Sequence, residues 1–178
     1  MLHVMIDIET FGTKPWSVIR SIGAVSFDPR DPQDTYPHEF YVNVDRVSSE
    51  AAGMVVEKSV EEWWTRQSQE AQHAFDGKQE TIEDTLDMLS RWYRSTGATT
   101  IWAHGSAFDF PILDTAYSFV MNSKPPWHYR RVRDTRSAYH VLGFDYDSMK
   151  REGVYHNALA DCKHQTSALK SAMHGRHR

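Results

Sequence analysis

The chain has 178 residues, 40% hydrophobic and 12% aromatic, which favours a single globular domain that buries its own core. Its formal net charge of −4, from 20 basic and 24 acidic residues, excludes binding of nucleic acid through overall charge, so any polyanion site must be local. A single cysteine, Cys162, excludes an intrachain disulfide and a multi-cysteine zinc site. With no apolar run of membrane-spanning length and an acidic N-terminal segment unlike a secretory signal, the sequence predicts a cytoplasmic protein without a membrane segment.

Three β-strands are predicted before any long helix. In the first, "MIDIETFG" at 5–12, side chains alternate so that Asp7 and Glu9 share one face while Ile6 and Ile8 share the other. The β-rich runs "SVIRSIGAVSFDP" and "EFYVNV" follow at 17–29 and 39–44. Short turn-rich connections between the three predict an antiparallel meander.

Helical spacing of apolar residues begins after the third strand. The pattern predicts helices at 59–72, 80–95, 108–120, 133–143 and 157–173, a short strand at 99–104, and a basic tail at 174–178. Pro111 is expected in a first helical turn, Asp134 or Thr135 and Asn157 are expected as N-caps, and Gly143 is expected to stop its helix. The order predicts an α/β protein, a mixed β-sheet flanked by α-helices, in one domain spanning 1–178.

Acidic residues recur where elements begin and end. Two adjacent like charges at Asp7 and Glu9 fit either a solvated strand face or a cation held between them. Asp109 follows the strand at 99–104 at the start of a helix, and Asp161 lies in the first turn of the last helix. His156, five residues before Asp161, belongs to the preceding loop if Asn157 caps the helix. Carboxylate oxygens are the ligands that Mg²⁺ and Mn²⁺ prefer.

Four segments in this order resemble the motifs of a known enzyme superfamily. They are "DIET" at 7–10, "SIGAV" at 21–25, "HGSAFDFPIL" at 104–113 and "HNALADC" at 156–162. Together they resemble the DEDD superfamily of 3'-5' exonucleases, histidine subtype. The helix "VEEWWTRQSQEAQ" at 60–72 resembles the branch of bacterial and phage exoribonucleases of the RNase AS type and related phage deoxyribonucleases.

The resemblance implies an RNase H-like fold and hydrolysis of phosphodiester bonds from a free 3' end. It implies release of nucleoside 5'-monophosphates by a two-metal mechanism, with two divalent cations, Mg²⁺ or Mn²⁺, held by Asp7, Glu9, Asp109 and Asp161. His156 is implied as the group that takes the proton from the attacking water. The neighbouring carboxylates are expected to shift the pKa of His156 upward from about 6.5.

Single-stranded RNA or DNA with a free 3' end is the expected partner, with RNA slightly favoured. The candidate substrate-binding residues are Thr10, Phe11, Gly12, Trp16, His104, Phe108 and Arg133. Trp102, inside a strand, is expected in the core. Arg133 belongs to the densest basic cluster, with Arg130, Arg131 and Arg136, which fits a phosphate track as well as a solvated face. Trp63 and Trp64 are expected to pack, either inside the fold or at a homodimer interface.

Two other functions stay open on the sequence. One is a catalytically silent nucleic-acid-binding module on the same fold, which the clustered negative charge disfavours. The other is a metal-dependent phosphodiesterase acting on very short oligonucleotides.

Overall fold

A six-stranded sheet forms the centre of the protein. The computed structural model describes residues 1–151, 153 and 155–175, so the last three residues of the predicted basic tail lie outside the described residues. The strands are β1 (His3–Thr10), β2 (Ile19–Phe27), β3 (Glu39–Val44), β4 (Gln79–Glu80), β5 (Thr100–Ala103) and β6 (Val132–Asp134), in the spatial order β4-β3-β2-β1-β5-β6. The first three pair antiparallel, and the other three pair parallel to their neighbours. The predicted mixed sheet with an antiparallel three-strand start is therefore confirmed.

Seven α-helices flank the sheet in the residues that the structure describes. They are α1 (Arg46–Ala51), α2 (Lys58–Trp64), α3 (Gln69–His73), α4 (Ile82–Thr96), α5 (Ser106–Met121), α6 (Thr135–Leu142) and α7 (Ala158–Met173), with short 3-10 turns at Tyr129–Arg131 and Tyr146–Ser148. Within the described part of the chain, no helix combines the length and the apolar character needed to cross a bilayer.

Several predicted elements differ from the observed ones. The helix predicted at 59–72 is two helices, because the chain turns at 65–68 and Ser68 caps α3 through the amide of Ala71. The sequence did not predict α1, β4 and β6, and β6 has only three residues, too few for an alternating pattern. Helix α5 begins at Ser106, so Pro111 lies in its second turn rather than the first and cannot donate to the carbonyl of Ala107.

The predicted helix ends agree with the structure more closely. Asp134 caps α6 by accepting the amide hydrogen of Ser137 at 2.7 Å, and Gly143 ends that helix in the left-handed conformation. Asn157 caps α7 by accepting the amide hydrogen of Ala160 at 3.0 Å. The start of α7, which carries Asp161, is therefore fixed by a local side-chain cap.

The alternation of β1 divides its side chains between two apolar clusters. Val4, Ile6 and Ile8 lie in the larger cluster, which contains residues of α4 and α5. Met5 lies in the second cluster with Trp102 and residues of α6 and α7, so the prediction that Trp102 is a core residue is confirmed. Asp7 and Glu9 share the face of Met5 and are therefore directed toward α7.

Helix α7 approaches β2 at Gly23, the strand partner of Asp7. A Cβ atom at this position would lie 2.3 Å from the carbonyl carbon of Ala158, so only glycine fits without displacing the helix. The thiol of Cys162 also donates to the carbonyl oxygen of Gly23 at 3.2 Å. The first turn of α7 is thereby held against the sheet beside Asp7.

Candidate active site

Three carboxylates meet between β1 and α7. Asp7, Glu9 and Asp161 each offer one carboxylate oxygen, and these atoms all lie within 4.8 Å of one another. The strand supplies two of them because residues two apart share a face, and the helix supplies the third from its first turn. Residues from opposite ends of the sequence therefore form one acidic cluster.

Asp109 joins the site from a different direction. It lies in the first turn of α5, is 3% exposed, and accepts the amide hydrogen of Ile8 at 3.2 Å. This amide has no partner on that side of β1 because the ladder between β1 and β5 pairs only His3, Val4 and Met5. Asp109 does not belong to the group of three within 4.8 Å, but its charge raises the pKa of Asp7.

Burial makes all four acids reluctant to ionise, and repulsion between neighbouring acids adds to this effect at Asp7 and Glu9. Burial is the main cause that raises the pKa of Asp7, Glu9, Asp109 and Asp161. The second cause at Asp7 and Glu9 is the charge of the neighbouring acids, which raises each pKa further. Hard oxygen donors crowded together in this way fit a divalent cation such as Mg²⁺ or Mn²⁺, which would neutralise them.

Two partners of this cluster were not predicted from the sequence. The guanidinium of Arg151 forms an ion pair with Asp161, and both side chains are largely buried. Gln165 donates from Nε2 to Oδ1 of Asp7 at 2.8 Å. Gln165 follows Asp161 by four residues on α7, so helical spacing could have placed it on the same face. Arg151 lies in an irregular segment, where no periodicity could have indicated its contact.

His156 lies in the loop before α7, as the capping pattern predicts, and its φ of 61° is unusual for a residue with a side chain. Its imidazole meets the ring of Trp63 edge-to-face at 4.8 Å between centroids and that of Trp64 at 5.9 Å. Burial lowers the pKa of His156, and this effect outweighs the opposing charge of Asp161. The expected upward shift was therefore wrong, because the aromatic contacts withdraw the imidazole from water.

An open cleft of about 420 Å³ begins at Glu9. Its wall includes the predicted residues Thr10, Gly12 and Phe108 together with Trp63, Trp64 and Arg66, which were not predicted as binding residues. Trp64 is buried and donates from Nε1 to the carbonyl oxygen of Thr10 at 2.8 Å, which fixes α2 to the end of β1. Trp63 and Phe108 are 36% and 37% exposed, so both present aromatic surface to solvent.

Almost the whole chain fits one known family. Residues 2–173 match the model of the Rv2179c-like 3'-5' exoribonuclease domain. The chain belongs to this family. It is therefore a member of a family of hydrolytic nucleases of the 3'-5' exonuclease type.

Solved structures agree on the fold at low sequence identity. E. coli exonuclease I in complex with a dT13 oligonucleotide has a TM-score of 0.67 at 14% identity, over 98% of this chain and 42% of that chain. Cell-death related nuclease 4 has a TM-score of 0.68 at 14% identity, over 98% of this chain and 64% of that chain. The chain thus spans less than half the length of exonuclease I, and the likeness shows a shared RNase H-like fold. No curated protein matches the chain.

Four predicted substrate residues of this Rv2179c-like domain lie away from the cleft wall. Phe11 packs against the core beneath the guanidinium groups of Arg20 and Arg46, and Trp16 is 48% exposed. His104 shares a hydrogen bond of 2.8 Å with the hydroxyl of Thr135, and burial lowers its pKa to about 4. Arg133, exposed on β6, donates to backbone carbonyl oxygens. The structure therefore groups Thr10, Gly12 and Phe108 with the acids but not these four.

Proposed function

We propose that the chain is a divalent-metal-dependent 3'-5' exonuclease that releases nucleoside 5'-monophosphates from single-stranded nucleic acid. The convergence of Asp7, Glu9 and Asp161 beside an open aromatic cleft carries this proposal. RNA is slightly favoured as the substrate because the matching family model describes an exoribonuclease domain. The acids, His156 and the cleft residues keep the roles that the resemblance implies for them as part of this proposal.

Two cations, Mg²⁺ or Mn²⁺, would be held by Asp7, Glu9, Asp109 and Asp161. When bound, such ions supply Lewis-acid stabilisation of the charge that develops on phosphodiester oxygens. The donor set supports this assignment because a buried carboxylate is costly to ionise unless a positive charge lies beside it. The hydrogen bonds from Gln165 to Asp7 and from Ile8 to Asp109 hold two of the acids in orientation.

His156 would accept the proton of the attacking water on an imidazole nitrogen. A base must be neutral before it accepts a proton, and the lowered pKa of His156 keeps the ring neutral near pH 7. Trp63 and Phe108, the two partly exposed aromatic residues of the cleft, would stack against the terminal base. The chain would thus bind the strand end in the cleft with its last phosphodiester beside the acids.

Single-stranded RNA or DNA with a free 3' end is the proposed partner. The structures of exonuclease I with dT13 and dA16 oligonucleotides support this proposal, because that protein shares the fold.

A homodimer stays part of the proposal, although Trp64 is buried within the chain and leaves Trp63 as the more exposed member of the pair. Light scattering that gives the monomer mass of 20.6 kDa across micromolar concentrations would exclude the dimer.

The single cysteine, which is buried, is the reason to propose a reducing, cytoplasmic location.

Hydrolysis of end-labelled RNA and DNA of several lengths, with Mg²⁺, Mn²⁺ or EDTA, tests the proposal. We expect stepwise loss of 3' nucleotides with either metal and none with EDTA. Asp7→Asn should abolish most turnover and leave the melting temperature equal or higher, because it relieves repulsion with Glu9. Asp87→Asn, which changes a surface acid paired with Arg91, is the matched control.

The result also separates the competing functions. Near-normal turnover of Asp7→Asn would refute the assignment of the acids. Binding without turnover in any metal would indicate the silent binding module. Hydrolysis confined to the shortest oligonucleotides would indicate the small phosphodiesterase.

A further inference from the structure

One exposed stretch of the chain concentrates positive charge that is not neutralised locally. The segment 123–136 carries five basic residues and one acid, Asp134. Among the described residues, no ion pair involves the five, whereas several basic residues elsewhere are paired with acids. The five are Lys124, Arg130, Arg131, Arg133 and Arg136, and the paired ones elsewhere are Arg30, Arg46, Lys58, Lys78, Arg91 and Lys163.

The carboxylate of Asp134, the one acid of the stretch, is held by backbone amides rather than by the basic side chains. It accepts the amide hydrogens of Ser106 and Ser137, both at 2.7 Å. The protein as a whole has a net charge of −4, so this basic stretch is a local departure from the overall balance. A polyanion that binds this protein by charge would be attracted here.

Exposed aromatic rings lie within the same stretch. Tyr129 is 70% exposed, its ring lies 4.5 Å from that of His128, and its hydroxyl accepts a hydrogen bond from Nε of Arg130 at 3.0 Å. Binders of single strands combine basic side chains that follow the phosphates with aromatic rings on which bases stack. Residues 128–131 offer both kinds of group side by side.

His128 and Tyr129 border a groove of about 870 Å³, which we call the upstream groove, and Arg130 and Arg131 follow them in the chain. One wall is a stripe at four-residue spacing along α5 and its C-cap, and the other consists of residues 123–129 and Val132. The stripe consists of Phe110, Asp114, Ser118 and Asn122, and the opposite wall includes Lys124 and Tyr129. From Phe110 to Asn122 the stripe extends about 18 Å at 1.5 Å per residue.

The upstream groove and the cleft at the candidate active site border the same helix, α5. Phe110 directly follows Asp109, and Phe108, on the other side of Asp109, lines the cleft at the acids. Arg136 continues the basic stretch toward Asp109: its guanidinium carbon lies 3.4 Å from where a Cβ of Gly105 would be, and its charge lowers the pKa of Asp109. The cleft and the upstream groove therefore flank the first turns of α5.

We propose that the upstream groove and the basic residues of segment 123–136 bind single-stranded nucleic acid on the 5' side of the nucleotide held in the cleft. The assignment of the groove to the 5' side of the strand rests on the proposed function. The binding of single-stranded nucleic acid to the groove does not. The arrangement makes long single strands better ligands than short ones, because a short strand fills the cleft and leaves the groove empty. Asp114, the acid in the groove wall, opposes this binding through its charge.

Equilibrium binding of labelled oligonucleotides in EDTA tests the proposal without turnover. Strands of about 4 and about 16 nucleotides bracket the usual site sizes. The variants are the double change Arg130→Gln with Arg131→Gln, Tyr129→Ala, and Asp114→Asn. The matched control is the double change Arg30→Gln with Arg91→Gln, two arginines that are also exposed but are paired with acids away from the groove.

For the long strand, we expect the slope of log K against log salt concentration to fall by about 0.7 for each phosphate that the double variant no longer neutralises. Tyr129→Ala should weaken binding of the long strand about fivefold to 150-fold, the loss of one stacked base, and leave the short strand unaffected. Asp114→Asn should bind the long strand more tightly. The control should behave as wild type.

Wild-type affinity and salt dependence of the double variant for the long strand would overturn the proposal, and so would equal losses for the short and long strands. The outcome is separable from that of the proposed function. If the protein binds long strands through these residues but hydrolyses none of them with Mg²⁺ or Mn²⁺, the exonuclease assignment fails and the upstream groove stands.

Discussion

Trp63 and His156 are in edge-to-face contact, with ring centroids 4.8 Å apart and an angle of 81° between the ring planes. His156 has a φ of 61°, a conformation that a residue with a side chain keeps only when its surroundings hold it there. The two tryptophans at 63–64 therefore have different roles. Trp64 is buried and fastens α2 to β1, while Trp63 lines the cleft and contacts the imidazole of His156, the proposed general base.

Trp63→Ala should lower kcat by at least about tenfold, approaching the 10²–10⁴ loss expected without a general base, because His156 would lose its support. Trp63→Phe should recover most of the rate, since a phenyl ring preserves the contact. The ring-current shift of the His156 imidazole protons, assigned with His156→Gln, provides a readout that does not depend on turnover. Trp16→Ala, an exposed tryptophan outside the cleft, serves as the control. Unchanged imidazole resonances in Trp63→Ala would contradict the contact.

Arg151→Gln should tighten the binding of Mn²⁺. The guanidinium is paired with Asp161, so a cation that binds this carboxylate must compete with it. The same change should destabilise the metal-free protein on the order of 3 kcal/mol, because it leaves a largely buried carboxylate without its partner. Calorimetric titration with Mn²⁺ and denaturant unfolding in EDTA measure the two effects. Lys150→Gln, the preceding exposed cation, is the control, and weaker Mn²⁺ binding in Arg151→Gln would show that the arginine supports the metal site instead.

The metal-free protein should lose stability as the pH rises from about 4.5 to about 8. Burial raises the pKa of Glu9 from 4.5 to about 8, and the pKa of Asp7 is raised as well, so the folded state binds more protons than the unfolded state across this window. Stability then decreases with pH until the folded-state pKa is passed.

Thermal melts in EDTA and in Mn²⁺ at a series of pH values measure this effect. The melting temperature gained from Mn²⁺ should grow through the window by at least about 2–4 °C, which corresponds to 1 kcal/mol for a chain of this size. Asp7→Asn should reduce that growth. A gain independent of pH would mean that the acids are already ionised without metal.

Gly23→Ala should weaken both the fold and the metal site. A Cβ at Gly23 meets the backbone of Ala158 at 2.3 Å, so the first turn of α7 must move away from β2 and take Asp161 with it. Overpacking of this kind costs about 1–3 kcal/mol. Gly97→Ala is a control for the glycine substitution itself, because a Cβ there meets nothing within 4 Å, although its positive φ adds strain. Equal destabilisation of the two variants with unchanged Mn²⁺ affinity in Gly23→Ala would refute the role of the close approach.

The sequence by itself determined the parts of the site that depend on local periodicity. Alternation in β1 places Asp7 and Glu9 on one face, and the cap at Asn157 places His156 in a loop and Asp161 in a first turn. These features depend on a few neighbouring residues, so their pattern is visible in the chain. The motif order added the expectation that the four acids meet.

Only the tertiary structure decided which groups surround these acids. Arg151 pairs with Asp161, and Trp63 contacts His156. Neither helical nor strand periodicity relates the members of these pairs, because Arg151 and His156 lie in loops. Strand β6 exists through its pairing with β5, since three residues have too little propensity of their own. The direction of the pKa shift of His156 had the same origin: it depends on how much water reaches the imidazole, and water access is a property of the packed chain rather than of the residues beside it in sequence.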